Sequence, residues 1–578
     1  MEKRAILAAA LMAGLLILYQ MLFLSPPASP PPPAQTPAEA PKAAPQPVVL
    51  QPLPPQKELQ PAAPQRTATV ETPLYRAVIS SGGGRLQEWV IHYRGEKPMV
   101  VFDALGPEGL MVQRAGAQAQ AIPFHLSAEH LRLGKDTPSG ELRLTGEDGF
   151  GLRVTRTLRF RADSYVVEEE ITVENRHSVA QSAELALAWT APVEWPNPEE
   201  LVTGPRPIHV VRLENGAFWA RRTYLADASD FVGASRWIGL ESGIYPGVYA
   251  AAQNGVYLTA LIPMSPSFKV TEAKVGETKG DQASPERRVR IGLRATLPLL
   301  QPGQAWQGHL LTYIGPMEYD RLRAVGVALE KAIYFGGFPF PESWAQGSAV
   351  PTLPMAWVAV PILWFMHRFY DLMGNYGIAI ILLTIITKVL FFPLTLKSMR
   401  SMKAMQAIQP QVNALRSKHK NDSQRLQRET MELYRKHRVN PLGGCLPMIV
   451  QIPIFYALYV ALSVSAEIQN APFICFGRVF GAELWICDLA AQDPTYVLPI
   501  LMGASMFIQQ KMTPTMGDPR QAKMMLIMPF VFTFMFLSLP SGLVLYWTVS
   551  NVLQILQQHY MDRQAKGLKS TGKATKGA

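Results

Sequence analysis

The chain has 578 residues, 48% of them hydrophobic and 17% charged, with a formal net charge of +11. Length allows two to four domains. A mean hydropathy near zero excludes both a uniformly polar, disordered chain and one lying wholly within a bilayer; it is the average expected of a large polar domain joined to several apolar spans. The first span covers residues 5–24, without a charge and preceded by Lys3 and Arg4. It fits a signal peptide or an anchor. The only small-x-small site, Pro27-Ala28-Ser29, runs straight into Pro30, and no cysteine is near for lipid attachment, so residues 1–25 are expected to be an uncleaved anchor with a cytoplasmic N-terminus. Residues 26–66 are mostly Pro, Ala and Gln, a composition that buries no core and favours an extended polyproline II spacer.

From 67 to 315 the pattern changes to period two. Leu152, Val154, Leu158 and Phe160 alternate with Arg153, Thr155, Thr157 and Arg159, and Val289, Ile291 and Leu293 alternate with Arg290 and Gly292. These are half-buried strands, and with turn signals such as Gly82-Gly83-Gly84 and Asn215-Gly216 they predict one all-β sandwich. Its histidines lack zinc-ligand spacing, and it has no Cys, no phosphate-cradling Gly loop and no nucleophile elbow. Glu168, Glu169 and Glu170 are expected on a solvated face.

Residues 316–377 predict amphipathic helices, first over 322–334 and then over 355–369, where Trp357, Trp364 and Phe365 share an apolar surface suited to the headgroup layer. Then comes a run of nineteen residues, 378–396, apolar except for Lys388, with Thr384 one turn before it and Thr387 beside it. A lysine at bilayer depth costs about 2.5–3.5 kcal/mol. It therefore marks a wet cavity or bundle interior, unless its four-carbon stem snorkels to the headgroups.

Four more apolar stretches follow, at 442–465, 496–508, 524–539 and 542–556. Residues 397–440 carry eleven Lys and Arg against three carboxylates, residues 467–494 are acidic, and residues 511–523 and the tail 561–578 are basic. By the positive-inside rule this predicts six spans with both ends cytoplasmic. Three spans are shorter than the roughly 20 residues a hydrocarbon core calls for, and local thinning of the bilayer accommodates such segments. Gln451, Gln509, Asn551 and Gln554, with Lys388, Thr384 and Thr387, line a hydrated cavity in this reading; interhelical hydrogen bonding accounts for the same residues in a closed bundle.

The basic loop, 398–439, predicts an antiparallel helical hairpin. Met399, Met402, Met405 and Ile408 recur at three-residue spacing before Pro410, and a second helix follows the turn at Lys420-Asn421-Asp422. Methionines suit varied apolar partners, and cations such as Arg416, Lys418 and Lys420 suit ribosomal RNA, anionic lipid or an acidic client. A Met stripe that only seals the hairpin is the plainer alternative.

Asn440-Pro441-Leu442-Gly443-Gly444-Cys445-Leu446-Pro447, Gln451-Ile452-Pro453-Ile454-Phe455, Asp493-Pro494, Leu498-Pro499-Ile500-Leu501-Met502-Gly503 and Pro540-Ser541-Gly542-Leu543-Val544-Leu545-Tyr546-Trp547 closely resemble the YidC membrane protein insertases. The resemblance implies a periplasmic galactose-mutarotase-like β-supersandwich and an α-helical membrane bundle, with five helices over 378–560 enclosing a hydrophilic groove. Clients would slide past an apolar face of Phe455, Met502, Phe530, Phe534, Tyr546 and Trp547. It implies no enzyme activity and no cofactor or metal. As partners it implies nascent membrane proteins, the Sec translocon, the ribosome and lipids, in a cell inner membrane. Lys388 stands where the family usually has arginine, and lysine loses bidentate carboxylate geometry; Trp547 replaces a frequent tyrosine, and the loop over 471–493 is longer than usual.

A polytopic transporter would call for internal repeats, which the six spans lack. A glycan-binding or glycan-processing role for the β domain stays open, since fold does not fix function. Cys475 and Cys487 share the loop placed outside by charge, so an oxidising compartment permits a disulfide; two apolar interfacial thiols beside Phe476 and Trp485 are the alternative.

Overall fold

The computed structural model describes residues 65–92, 100–101, 107–114, 119–193, 206–217, 220–243, 257–276, 287–335, 337–338, 353–419, 422–437, 439, 446–469, 471–479, 482–512 and 519–574. The expected anchor and nearly all of the spacer lie outside these residues.

The period-two segments form three antiparallel-rich sheets. The largest has nine strands in the spatial order Arg221–Tyr224, Arg206–Glu214, Ser235–Gly243, Tyr257–Pro263, Ala305–Pro316, Val166–Asn175, Leu152–Arg161, Ser139–Glu147 and Phe124–Leu126. A six-stranded sheet is centred on Arg287–Thr296 and Glu184–Pro192, and a five-stranded one on Leu86–Ile91, Tyr75–Ser80 and Thr67–Glu71. Leu152, Val154, Leu158 and Phe160 are buried as their alternation demands. Tyr75 stacks on Trp89 at 4.0 Å between ring centroids in the same core.

Strand parity also buries charges. Arg156 shares the inward face of Val154 and Leu158, and Glu169 shares that of Val167 and Ile171. The solvated-face expectation therefore fails for Glu169, because a period of two turns the middle of three consecutive glutamates inward. Arg156 donates to Glu169 from Nε at 3.0 Å and Nη2 at 2.7 Å, and from Nη1 to the Gly84 carbonyl at 2.8 Å. The Thr312 hydroxyl donates to the other Glu169 oxygen at 2.7 Å. Such a buried pair holds only because its hydrogen bonds are met. Gly84 has φ +61°, and a Cβ there would lie 3.0 Å from Arg156 Nη1, so only glycine brings this carbonyl to the guanidinium.

Past the sandwich, α1 is Tyr319–Ala324, followed by a 3-10 turn at Leu329–Ala332. The single helix expected over 322–334 is thus broken, with Gly326 at φ 83° between the two pieces. Helix α2, Ala356–Met373, buries Ala359, Ile362, Leu363 and Met366 and turns Trp357, 78% exposed, and Trp364 outward. Gly374 in the left-handed region ends it. Asn375 caps the next helix, α3 (Tyr376–Leu390), accepting from the Gly377 and Ile378 amides.

The run 378–396 is not one straight helix. It breaks at Phe391, and α4 (Phe392–Lys418) leaves at 61° to α3. Pro393 sits at the start of α4, where its missing N–H costs nothing to a new helix but would leave a gap in a continuous one. Helix α4 then runs on through Pro410 to Lys418, just short of the turn expected at 420–422. Asp422 caps α5, Ser423–Lys436, through the Arg425 amide at 2.9 Å. The bundle is completed by α6 (Leu446–Val464), α7 (Val497–Met512), α8 (Pro519–Phe536) and α9 (Ser541–Ala574). Between α6 and α7, strands Ile474–Val479 and Ala482–Ile486 form a small hairpin in which Cys475 and Cys487 are disulfide-bonded, with Cα atoms 4.6 Å apart.

Among the described residues no single helix is both long and apolar enough to cross a membrane; the bent pair α3–α4 passes that test jointly.

Candidate functional site

Helix α9 packs against α3 and α7, and α7 against α8. Polar side chains from α3, α6, α7 and α9 meet across these contacts. Lys388, in the last turn of α3, donates from Nζ to Gln554 Oε1 of α9 at 2.9 Å. It lies nearer a helix end than the apolar run implied, and the C-terminal pole of the α3 dipole favours a cation there. Among the described residues no carboxylate pairs with it. Gln451 of α6 donates to the Ser550 hydroxyl of α9 at 3.1 Å. Asn551 donates at 3.1 Å to Ser505 of α7, whose hydroxyl is itself turned to the Met502 carbonyl.

Two expected site residues take different roles. Tyr546 was expected on the apolar face, yet it is buried and its hydroxyl hydrogen-bonds with Gln451 and Thr387. The signal was available: Tyr546, Ser550 and Gln554 recur every four residues, one face of a helix. Thr384 is fully buried and donates to the Ile380 carbonyl of its own helix at 2.7 Å, so its hydroxyl does not add a free group to a cavity. Thr387 also donates to its own helix, at the Thr384 carbonyl. Gln509, half-buried, stands one turn beyond Ser505 on α7. Ser550 and Gln558, polar residues at the cytoplasmic end of the last span that the sequence also offers to the cavity, belong with this group, and Ser505 joins it without a sequence signal; Gln558 donates to the Met512 carbonyl at 2.6 Å.

The apolar side divides in the same way. Phe530 and Phe534 of α8 are 66% and 79% exposed and share a helix face with Ile527, Val531 and Met535, also exposed; Phe530 meets Phe507 of α7 at 6.0 Å between ring centroids, and Ile500 and Ile508 of α7 are exposed as well. Met502 is fully buried. It sits beside Gly503, where a Cβ would meet Thr533 of α8 at 1.9 Å, a helix contact too close to leave any surface for a ligand. Phe455 and Trp547 are half-buried in an aromatic cluster with Phe532 and Phe536, Phe455 meeting Trp547 edge-on at 4.7 Å.

In the basic hairpin, Met405 and Ile408 pack with Val439 and Tyr434, and Met399 is buried too. Met405 thus packs inside the hairpin; Met402 is half-buried. Arg416 is half-buried and Lys418 exposed, while Lys420 falls outside the described residues.

A large β domain is thus followed by a helical bundle in which, among the described residues, Lys388 lies among amides and hydroxyls with no carboxylate partner, and in which α7 and α8 expose aromatic and aliphatic side chains. The family model described as YidC periplasmic domain matches residues 67–344, and that described as 60Kd inner membrane protein matches residues 368–569. A membrane protein insertase YidC from Syntrophus aciditrophicus is 36% identical, with 98% of this chain and all of that one covered. Another from Geobacter metallireducens is 34% identical over 97% and 98%. A crystal structure described as an active YidC insertase with its first transmembrane domain resolved aligns over 86% of this chain and 95% of its own at 17% identity, with a TM-score of 0.35, too low to carry an argument. The chain belongs to the YidC family of membrane protein insertases. It is thus an inner-membrane protein that moves polypeptide segments, with no covalent reaction to catalyse.

Proposed function

We propose that this insertase works through the groove around Lys388, without nucleotide, metal or cofactor. The observation that carries the reading is a half-buried ammonium whose hydrogen-bond partner is the neutral Gln554 amide. An acidic residue in the translocated flank of a client meets no competing carboxylate there. The amides of Gln451 and Gln554 and the hydroxyl of Ser550 replace part of its lost hydration. The client's hydrophobic segment meanwhile moves along the exposed face of Phe530, Phe534 and Ile500 into lipid. Each apolar residue gains up to ~0.6 kcal/mol at the bilayer centre, enough over a helix to carry a few polar groups across.

In the topology we infer, the core has five spans, 378–560, preceded by an anchor over 1–25, with both ends cytoplasmic. The β domain over 67–315, the interfacial segment 316–377 and the disulfide hairpin face the periplasm, where a disulfide persists. A galactose-mutarotase-like arrangement remains the expected form of the β domain. The hairpin 398–439, with Met402, Arg416, Lys418 and Lys420, and the basic tail 561–578 receive clients from the ribosome, with or without the Sec translocon.

The test is reconstituted insertion of a client with an acidic translocated tail. Lys388→Ala is expected to reduce insertion severalfold and Lys388→Arg to restore it; equal insertion by the alanine variant would return Lys388 to a snorkelling role.

A further inference from the structure

Away from the groove, one histidine joins three separately folded parts of the chain. His367 lies in the last two turns of α2, its ring half-buried. Its Nε2 meets Glu467 Oε2 at 2.5 Å and its Nδ1 faces Asp320 Oδ2 at 3.4 Å. Asp320 belongs to α1, three residues beyond the last strand of the β domain; Glu467 belongs to the 3-10 turn that follows α6. Glu467 is buried, with the Ser465 hydroxyl donating to it at 2.6 Å. A buried carboxylate needs such partners, and a neutral imidazole can donate to only one of two carboxylates, whereas the imidazolium donates to both.

We propose that His367 is a positioning residue that, when protonated, clamps the interfacial helix α2 to the exit of the β domain on one side and to the membrane core on the other. The clamp bears on the groove because α2 is followed at once by Gly374, Asn375 and α3, the helix that carries Lys388. The same corner is held by the Asn375 side-chain amide on the Phe473 carbonyl at 3.0 Å, and Tyr376 of α3 places its ring 6.2 Å from that of His367.

The groups facing His367 are Asp320 from α1, Glu467 from the turn after α6 and Tyr376 from α3; on its own helix the neighbouring charges are Arg368 and, one turn on, Asp371, both exposed. Arg321 of α1 is bound to Glu318. Tyr313, the nearby tyrosine on the last strand, stays neutral because burial pushes its hydroxyl far up. Burial works against the His367 charge, but the hydrogen bond and charge of Glu467, with the charge of Asp320, outweigh it and hold the imidazolium above the usual histidine value. A raised value means that the clamp is complete below about pH 6.5, the unperturbed histidine value, and is lost as pH rises through the folded value.

The experiment is amide exchange of the full chain in lipid nanodiscs, read as protection of residues 356–373 after correction for intrinsic rates. Protection is expected to fall about tenfold for each pH unit by which the folded value exceeds the unfolded one. His367→Gln and Glu467→Gln should each give low protection that no longer depends on pH over this range. Asp320→Asn, at an exposed position, should keep the profile with a smaller amplitude and serves where a core variant fails to fold. A flat profile in the unaltered protein, a profile that survives His367→Gln or Glu467→Gln, or its complete loss in Asp320→Asn would overturn the clamp.

Discussion

Lys388 and Arg156 show how position decides what a buried cation does. Arg156 donates to Glu169 and to the Gly84 carbonyl, and Thr312 holds the other oxygen of Glu169; Lys388 has a neutral amide. The first is paired with a carboxylate; the second, among the described residues, is not. Replacing Glu169 by Ala should strand the Arg156 guanidinium in the sandwich core, at a cost of about 3–5 kcal/mol. Replacing the pair together, Arg156→Met with Glu169→Leu, should recover most of that, because both desolvation costs disappear. Denaturant unfolding of the β domain, followed through Trp89 and Trp189 emission, checks both; equal stability of Glu169→Ala and the native chain would mean that the pair carries no net weight. The sequence read as a string of charges hides this difference, and parity exposes it. Glu168, Glu169 and Glu170 are chemically alike, and only their alternation across the strand separates the buried one from its neighbours.

Two elements outside the bundle core carry predictions of their own. The α4–α5 hairpin packs through Met405, Ile408, Tyr434 and Val439, a cluster separate from the main core. Deleting 411–435 should therefore leave a folded, monodisperse protein while insertion drops sharply; normal insertion by such a protein would count against a receiving role. The disulfide hairpin is fastened at its base by the Leu489 amide on Ala471, and by Ser541 and Gly542 amides on Ala491 and Leu489. Its bridge spans 12 residues, and loops of that size gain roughly 3 kcal/mol from closure in the chain-entropy model. Thiol labelling of the denatured, unreduced protein should find Cys445 alone free. Cys475→Ser should loosen residues 474–486 to exchange and leave the base in place. Strands and helix faces were legible in the sequence because burial imposes a period of two or 3.6. The break at Phe391 and the interruption at Gly326 were not, since a proline or glycine is compatible with both a stop and a bend until tertiary packing chooses.

Across the whole molecule, the legible part of the site was its chemistry, and the illegible part was its assignment to surfaces. The lysine, the amides and the aromatics were all identifiable as types, but whether Met502 and Tyr546 face a client or the interior depends on how closely α7 and α8 approach at Gly503 and on which side α9 presents to α6. The comparison with relatives fixes the family; packing distributes the roles. The bend at Phe391 has a mechanical meaning. Helix α4 is 27 residues long, about 40 Å at 1.5 Å per residue, and it begins at a break three residues beyond Lys388. A change of about 10° at that break would carry the far end of such a helix through about 7 Å.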